Sequence, residues 1–373
     1  MNSLALAVTS LTTAWIAMGS GAVAFSARMR SRRVLSEEDL PSITVLKPLC
    51  GADPSLRDNL ESFFLQSYPR FEIVFGVERA DDPALLVVED LIFAHPAVSA
   101  KIVVHTKTRG HNPKVRNLRG MLPHASHDLV LVSDSNVRVP RNYLAGMAAE
   151  MIRDPEVGLV TSIFAGTGGG SLGGDLECVE LSGFCAAGAA LPTLVGDAAV
   201  IGKSMLFSRR ELSALGGLGR VADVLAEDYV LGKLFQTAGR RVAIAQTVIE
   251  NVIGPMSTRA FLERHLRWSM LRFRLRPLAF MLEPMTSPLA MLPVAWAAMG
   301  AWALVWATAL LLLRDVGGWI LLRGPRGAAK PLCLSLLREV AAIGIWLATP
   351  LKRHVSWRGH RLRVSRGTLL VPD

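Results

Sequence analysis

The sequence predicts an α/β protein built on a doubly wound, mostly parallel sheet and flanked by apolar segments able to cross a membrane. Three observations predict it. Between Ser42 and about Gln246, short apolar strands alternate with helical stretches at intervals of roughly 30 residues, the rhythm of a parallel sheet. The apolar excess, 51% of residues with a mean hydropathy of +0.35, is clustered at the two ends of the 373-residue chain. Finally, Leu129-Val130-Leu131-Val132 reads as a buried strand running into Ser133-Asp134-Ser135-Asn136. In open α/β sheets ligands lie beyond the carboxyl ends of the strands, which aims Asp134 at a cleft.

Taken in order, the chain begins with a charge-free run from Leu4 to about Ala27, long enough for a hydrocarbon core of ~30 Å. Arg28, Arg30, Arg32 and Arg33 follow it. A cleaved signal peptide would carry its basic residues before the apolar run, so an uncleaved anchor is expected, with the next domain in the cytoplasm. Ile43–Leu46 is then a strand, Pro54–Gln66 a helix opened by Asp53, and Glu72–Val77 a second strand. Pro83–Ala94 is a helix, Lys101–His105 a strand and Lys114–Leu122 a helix leading to the strand that ends at Asp134. The Gly-rich stretch Gly166–Gly174 lacks the Lys-Ser/Thr of a phosphate-binding loop and is expected to be a flexible surface connection.

The formal charge of +10, carried mainly by arginine, suits anionic headgroups or a phosphate-bearing substrate. Nucleic acid is disfavoured, because few aromatics interleave the basic residues and no nucleic-acid-binding motif is present. Cys50, Cys178, Cys185 and Cys333 lack CxxC spacing and form neither a disulfide framework nor a metal knuckle.

On residue chemistry alone, Asp134 with Ser135 and Asn136 fits either a hard divalent cation or a strand-end turn. Asp82 before Pro83 is equally sound as a helix cap. Glu227-Asp228 could simply favour a helix dipole. Arg264, Arg267 and Trp268 fall at i, i+3 and i+4, so two cations and a ring share one helix face. Arg272, Arg274 and Arg276, interleaved with Leu271, Phe273 and Leu275, suit a basic amphipathic helix on a membrane surface.

An ordered set of motifs adds to this reading: Lys47-Pro48-Leu49, Gly51-Ala52-Asp53-Pro54, Asn59–Phe64, Tyr68-Pro69, Asp81-Asp82-Pro83-Ala84, Asn112-Pro113-Lys114 and Asp134-Ser135. It continues through Ala226-Glu227-Asp228-Tyr229, Arg264-His265-Leu266-Arg267-Trp268 and Ser356-Trp357-Arg358-Gly359. The set resembles the ceramide glucosyltransferases, membrane-anchored inverting transferases of the GT-A fold, over nearly the whole chain. The resemblance implies a UDP-sugar donor bound through Asp82, Lys114, Asp134 and Arg264. It implies Mg²⁺ or Mn²⁺ at Asp134, with Asn136 standing where many GT-A enzymes place a second Asp; an amide oxygen can ligate but brings no charge. Asp228 matches the base that takes the proton from the acceptor hydroxyl, and Arg267 and Trp268 match the catalytic (Arg/Gln)-x-x-Arg-Trp pattern. One base and one displacement give a β-linked sugar on a lipid, with ceramide the expected acceptor and glucose the expected sugar.

The expected organisation is an anchor over 1–27, a basic linker over 28–41 and a nucleotide-sugar-binding catalytic domain over 42–255. The Arg-Trp motif and interfacial helices occupy 256–286, a transmembrane region 287–351 and a basic tail 352–373. Within the membrane region Leu289–Leu313 is uncharged, whereas Leu332–Leu351 carries Arg338 and Glu339, costly at that depth unless they face protein, water or a headgroup. The resemblance also implies a bacterial inner membrane. Alternatives are a hopanoid or other lipid N-acetylglucosaminyltransferase, a processive polysaccharide synthase and a non-catalytic membrane scaffold.

Overall fold

A computed structural model of the protein describes residues 3–28, 37–53, 55–105, 108–194, 199–357 and 360–372. Arg30, Arg32 and Arg33 of the basic cluster, Pro54, and the motif pair Arg358-Gly359 lie outside the described residues. The chain falls into two compact units, one of residues 26–164 and 192–254, the other of residues 1–25, 165–191 and 255–373.

The first unit is built on a sheet whose leading strands are β1 (Ile43–Pro48), β2 (Phe71–Val77), β3 (Ser99–Val104) and β4 (Leu129–Ser133). They pair in parallel in the order β3-β2-β1-β4, with Leu46 of β1 level with Val74 on one side and Val132 on the other. Strands buried on both faces read as continuous apolar runs, and this is why Ile43, Val45, Leu46, Ile73, Val74, Val130 and Val132 are fully enclosed. The later strands are β5 (Val137–Arg138), β6 (Val157–Gly168), β7 (Ser204–Ser208) and β8 (Arg241–Ile253). β7 runs antiparallel to both β4 and β6, making the sheet mixed though mostly parallel at its leading half.

The expected helices form close to where the sequence puts them, at Leu56–Phe64, Ala84–Ala94 and Pro113–Met121. Asn112 sets the start of the last of these: its side chain accepts from Val115 N at 3.1 Å, with Pro113 at the first helical position.

The second unit is helical, with a three-stranded antiparallel sheet of β9 (His354–Trp357), β10 (His360–Val364) and β11 (Leu370–Pro372). Three of its helices are long and apolar enough to cross a membrane, Ser3–Ala27, Trp302–Arg323 and Ala329–Leu351. The uncharged run Leu289–Leu313 is interrupted. Its first helical part, Leu292–Met299, stops at Gly300, whose φ of 60° is left-handed, and the span long enough to cross starts at Trp302.

The Gly-rich stretch is a correction. Rather than a flexible connection, Gly166–Gly168 close β6, and Gly173 and Gly174 are buried inside the helix Leu172–Glu180. A Cβ on Gly173 would stand 2.5 Å from the Ser257 carbonyl oxygen and 2.6 Å from that of Met256, so the glycine is there for close backbone approach.

Candidate active site

Parallel strands end at one edge, and in the first unit that edge collects the acids. Asp134 follows β4 directly, Asp82 lies in the turn after β2, and β1 separates the two strands. Asp82 works as the cap its position suggests, with Oδ1 accepting from Ala84 N at 2.9 Å. The same carboxylate also receives Gly51 N at 3.0 Å, fastening the loop after β1 to the loop after β2.

Asp134 is held between two ammonium groups, Lys114 at 2.9 Å from Oδ1 and Lys203 at 3.0 Å from Oδ2. Burial alone would raise its carboxyl, but the charges of Lys114 and Lys203 outweigh that and keep it well below the usual carboxylate range. Lys114 stands one position into the Pro113–Met121 helix, and its ammonium also reaches Glu227 Oε1 at 3.2 Å and the Gly202 carbonyl at 2.7 Å. Despite burial, which favours the neutral amine, Asp134, Glu227 and Asp228 together raise the Lys114 pKa.

Glu227 and Asp228 open the helix Glu227–Thr237. Asp228 Oδ1 accepts from Tyr229 N at 2.7 Å and Oδ2 from Gly202 N at 2.6 Å, while Asn112 Nδ2 donates to Glu227 at 3.3 Å. Burial pushes the Glu227 carboxyl up to about 7; Lys114 opposes the rise and Asp228 adds to it. Asp134 and Asp228, distant in sequence, thus meet around Lys114 and the Gly202 backbone. Asn136 completes the group, its Oδ1 accepting from Lys203 at 2.9 Å and its Nδ2 donating to Asn251 at 2.8 Å.

Among the described residues no three His, Cys, Asp or Glu side chains gather as a metal cage. The oxygens of Asp134 and Asn136 nonetheless converge on one cation, the Lys203 ammonium. They are hard donors of the kind Mg²⁺ or Mn²⁺ takes, with a single negative charge between them.

Two residues of this site were not singled out as ligands in the sequence. Lys203 follows Gly202 without any motif. Lys47 sits inside an apolar strand yet is fully buried, its Nζ donating to the Asp134 carbonyl at 2.6 Å and lying 3.8 Å from the centre of the Phe63 ring. Burial holds its pKa well below the ordinary lysine value, with Lys203 adding to the depression against the pull of Asp134.

The Arg-Trp motif belongs to the second unit, on the helix Thr258–Leu275, which Ser257 caps by accepting from Ala260 N at 3.1 Å. Arg264 is paired with Glu177 at 3.0 Å, and His265 with the same carboxylate at 2.6 Å. Burial would raise Glu177, but His265 and then Arg264 bring it down to about 2. Trp268 is half-buried, its ring edge-on to His265 with centroids 5.0 Å apart, and Arg267 is half-buried beside it. Arg272 lies two helical turns beyond His265 and donates two hydrogen bonds to Glu283, at 2.8 and 3.0 Å, with its side chain 40% exposed. Arg338 and Glu339 face protein, paired with each other at 2.7 Å and with Asp315 and Arg314.

A mostly parallel sheet with acids gathered at its carboxyl edge, joined in one chain to helices of membrane-crossing length, defines a GT-A-like glycosyltransferase fold. The chain belongs to glycosyl transferase family 21, whose profile matches residues 5–370. It is 28% identical over 280 residues to ceramide glucosyltransferase 3 of Caenorhabditis elegans, covering 71% of this chain and 58% of the relative. To ceramide glucosyltransferase 1 of the same organism it is 31% identical over 265 residues, covering 68% and 54%. The chain therefore spans a little over half the length of these two relatives. Among solved structures it is similar to a mannosyltransferase from Pyrobaculum calidifontis in complex with GDP-Man and Mn²⁺, with a TM-score of 0.55, 19% identity and coverage of 93% of this chain and 98% of the other, a likeness of fold.

Proposed function

We propose that the protein transfers a sugar from a UDP-sugar to the hydroxyl of a membrane lipid, with glucose and ceramide as the pair its relatives' names support, and with inversion at the sugar. The observation that carries this is the meeting of Asp134 and Asp228 around Lys114 at the carboxyl edge of the sheet. In this reading Asp82 and the loop after β1 hold the nucleoside end of the donor. Lys114 and Lys203 place positive charge where a diphosphate needs it. Asp134 and Asn136 would hold Mg²⁺ or Mn²⁺, which when bound offsets charge on the departing UDP. Asp228, oriented by Gly202 N and Tyr229 N, accepts the proton of the acceptor hydroxyl, and a single displacement with one base inverts the anomeric centre. By their motif, Arg264 is assigned to donor binding and Arg267 and Trp268 to catalysis, on one helix that the pairing of Arg264 with Glu177 helps to hold.

The lipid acceptor is supported by three helices able to cross a bilayer, since a site held at the membrane gains effective concentration for a substrate that never leaves it. In this reading the catalytic unit faces the cytoplasm, the compartment that supplies UDP-sugars, at a bacterial inner membrane. Purified protein supplied with UDP-glucose, ceramide and Mg²⁺ or Mn²⁺ should release UDP and yield β-glucosylceramide by mass spectrometry and NMR. UDP binding with no release in the presence of any lipid alcohol would overturn transferase function.

A further inference from the structure

The Lys203 ammonium lies where the two oxygens assigned to a divalent ion converge, 3.0 Å from Asp134 Oδ2 and 2.9 Å from Asn136 Oδ1. Strand pairing puts it there. β7 runs antiparallel to β4 with Ser204 level with Ser133, so the residue before Ser204 comes opposite the residue after Ser133, and Lys203 faces Asp134. The backbone beside it is fixed from both sides, since Gly202 N donates to Asp228 at 2.6 Å and the Gly202 carbonyl accepts from Lys114 at 2.7 Å. What can yield is the side chain, because a lysine carries its charge on a flexible four-carbon stem.

Charge decides what displaces it. Asp134 brings the one negative charge of this oxygen pair, and its carboxylate also holds Lys114 at 2.9 Å while its carbonyl holds the buried Lys47 at 2.6 Å. A bare divalent ion has to evict an ammonium from both of its acceptors and then sit beside Lys114 and Lys47, like charges in a setting less polar than water. A diphosphate reverses both penalties. It brings negative charge to the ion, and it receives the evicted ammonium in a charge-assisted hydrogen bond. The side chains of Lys203 and Asp134 are 18% and 23% exposed, so the exchange takes place where a ligand can reach it.

We propose that Lys203 couples ion binding to nucleotide binding: its ammonium competes with Mg²⁺ or Mn²⁺ for Asp134 and Asn136, and gives way when a diphosphate arrives to receive it. The inference rests on the reading of Asp134 and Asn136 as metal ligands, and deepens it by assigning the cooperation between ion and donor to one residue. By linkage, the factor by which UDP tightens the ion is the factor by which the ion tightens UDP. Removing the competing ammonium raises the affinity for the ion alone and shrinks that factor.

The test uses the full chain in phosphatidylcholine nanodiscs and reads Mn²⁺ binding from the spin-resonance signal of the free ion, with and without UDP. UDP binding is read by calorimetry with Mn²⁺ and with EDTA. The wild type should bind Mn²⁺ at least about tenfold more tightly when UDP is present, the size of one hydrogen bond to a charged group. Lys203→Met should bind Mn²⁺ alone about tenfold more tightly than the wild type does, with the coupling to UDP reduced by a similar factor. Lys203→Gln, which keeps a hydrogen-bond donor for Asp134 without the charge, should move both quantities the same way and guards against a folding defect in the first variant. Adding Asp134→Ala to Lys203→Met should cancel the gain, which locates the ion. A lysine of purely structural use would lower the melting transition and leave the coupling alone. Mn²⁺ alone bound no more tightly in either folded variant, or coupling unchanged in both, overturns the proposal. Coupling with these dependences but no sugar transferred from any UDP-sugar would leave the role of Lys203 standing and remove the transferase reading. Sugar transfer by a wild type that binds no Mn²⁺ even with UDP would do the reverse, removing the metal ligands and the competition together.

Discussion

The Lys114 ammonium lies 2.9 Å from the carboxylate of Asp134, although twenty residues and a whole strand separate them in the chain. That contact joins the start of one helix to the end of the strand that follows it. Through Glu227, the same ammonium ties both to the helix carrying Asp228. A lysine shared by carboxylates from two elements converts separate strand-end and helix-start residues into one site.

Asp228→Asn should remove transfer while leaving nucleotide binding and the fold in place. The amide can still accept from Gly202 N, so the local geometry survives, but it cannot take a proton. Loss of a general base costs turnover roughly 10²–10⁴-fold. The measurement is kcat against UDP affinity by calorimetry; a kcat within a few-fold of wild type removes Asp228 from the base role.

Asp134→Ala should act on stability as well as on activity. It strands Lys114, Lys203 and the buried Lys47 without their shared counter-charge, and losing charge-assisted bonds of this kind costs about 2–3 kcal/mol. A lowered Tm in the ligand-free protein, partly recovered by UDP, whose diphosphate restores counter-charge to Lys114 and Lys203, is the expected result. An unchanged Tm would mean the lysines are satisfied elsewhere.

Glu227 gives a pH dependence with a definite sign. Its folded pKa, about 7, lies above the ordinary glutamate value, so the fold prefers the protonated form. The resulting penalty is absent in acid, builds as pH rises from the ordinary value towards 7, and is complete above it. Relative to Glu227→Gln, the wild type should therefore lose stability between about pH 5 and 8. Parallel thermal melts of the two proteins across that range check it, and a constant difference would refute the shift.

Glu177→Gln should unsettle the helix that bears Arg267 and Trp268. Glu177 is fully buried and is paired with both Arg264 and His265, and breaking a buried ion pair by removing one member costs about 3–5 kcal/mol. The expected readout is a lower Tm together with reduced kcat, with UDP affinity kept. A reduced UDP affinity instead would place Arg264 in direct contact with the donor.

Gly173→Ala should be destabilising by about 1–3 kcal/mol, the range for overpacking, because the added methyl meets the backbone carbonyls of Met256 and Ser257 and backbone cannot swing aside. Gly170→Ala, in the same Gly-rich stretch but with open space around its Cβ position, tests its left-handed φ of 84° alone. Equal effects would show that the close approach at Gly173 is unimportant.

These residues also mark what can be read from a chain before its structure. The parallel half of the sheet was legible because β1, β2 and β4 are apolar runs enclosed on both faces, followed by polar turns such as Asp81-Asp82 or Asp134-Ser135. Asp134, Asp228 and Lys114 were legible as an ordered set of motifs. Lys203 was not, and Lys47 was legible as a motif member but not in its contact, because both roles depend on pairing across strands: Lys47 reaches the end of β4 from within β1, which local pattern cannot express. The Gly-rich stretch misled because the backbone it accommodates, at Met256 and Ser257, lies more than eighty residues further on. The partner of Arg272 was not legible either, because Glu283 comes from beyond the helix end.

The hydrogen bond from the Trp306 indole to the Thr13 hydroxyl, 2.9 Å across 293 residues of sequence, sets an order of events during synthesis. At about 5–20 residues per second, the opening helix is made roughly 15–60 s before the helix it will pack against. Throughout that wait its threonines must rest against something other than tryptophan, and Thr9, Thr12 and Thr13 do so by bonding to the carbonyls one turn behind them. The earlier helix is thus already self-satisfied when it is made, and its docking waits until the later helix has been synthesised.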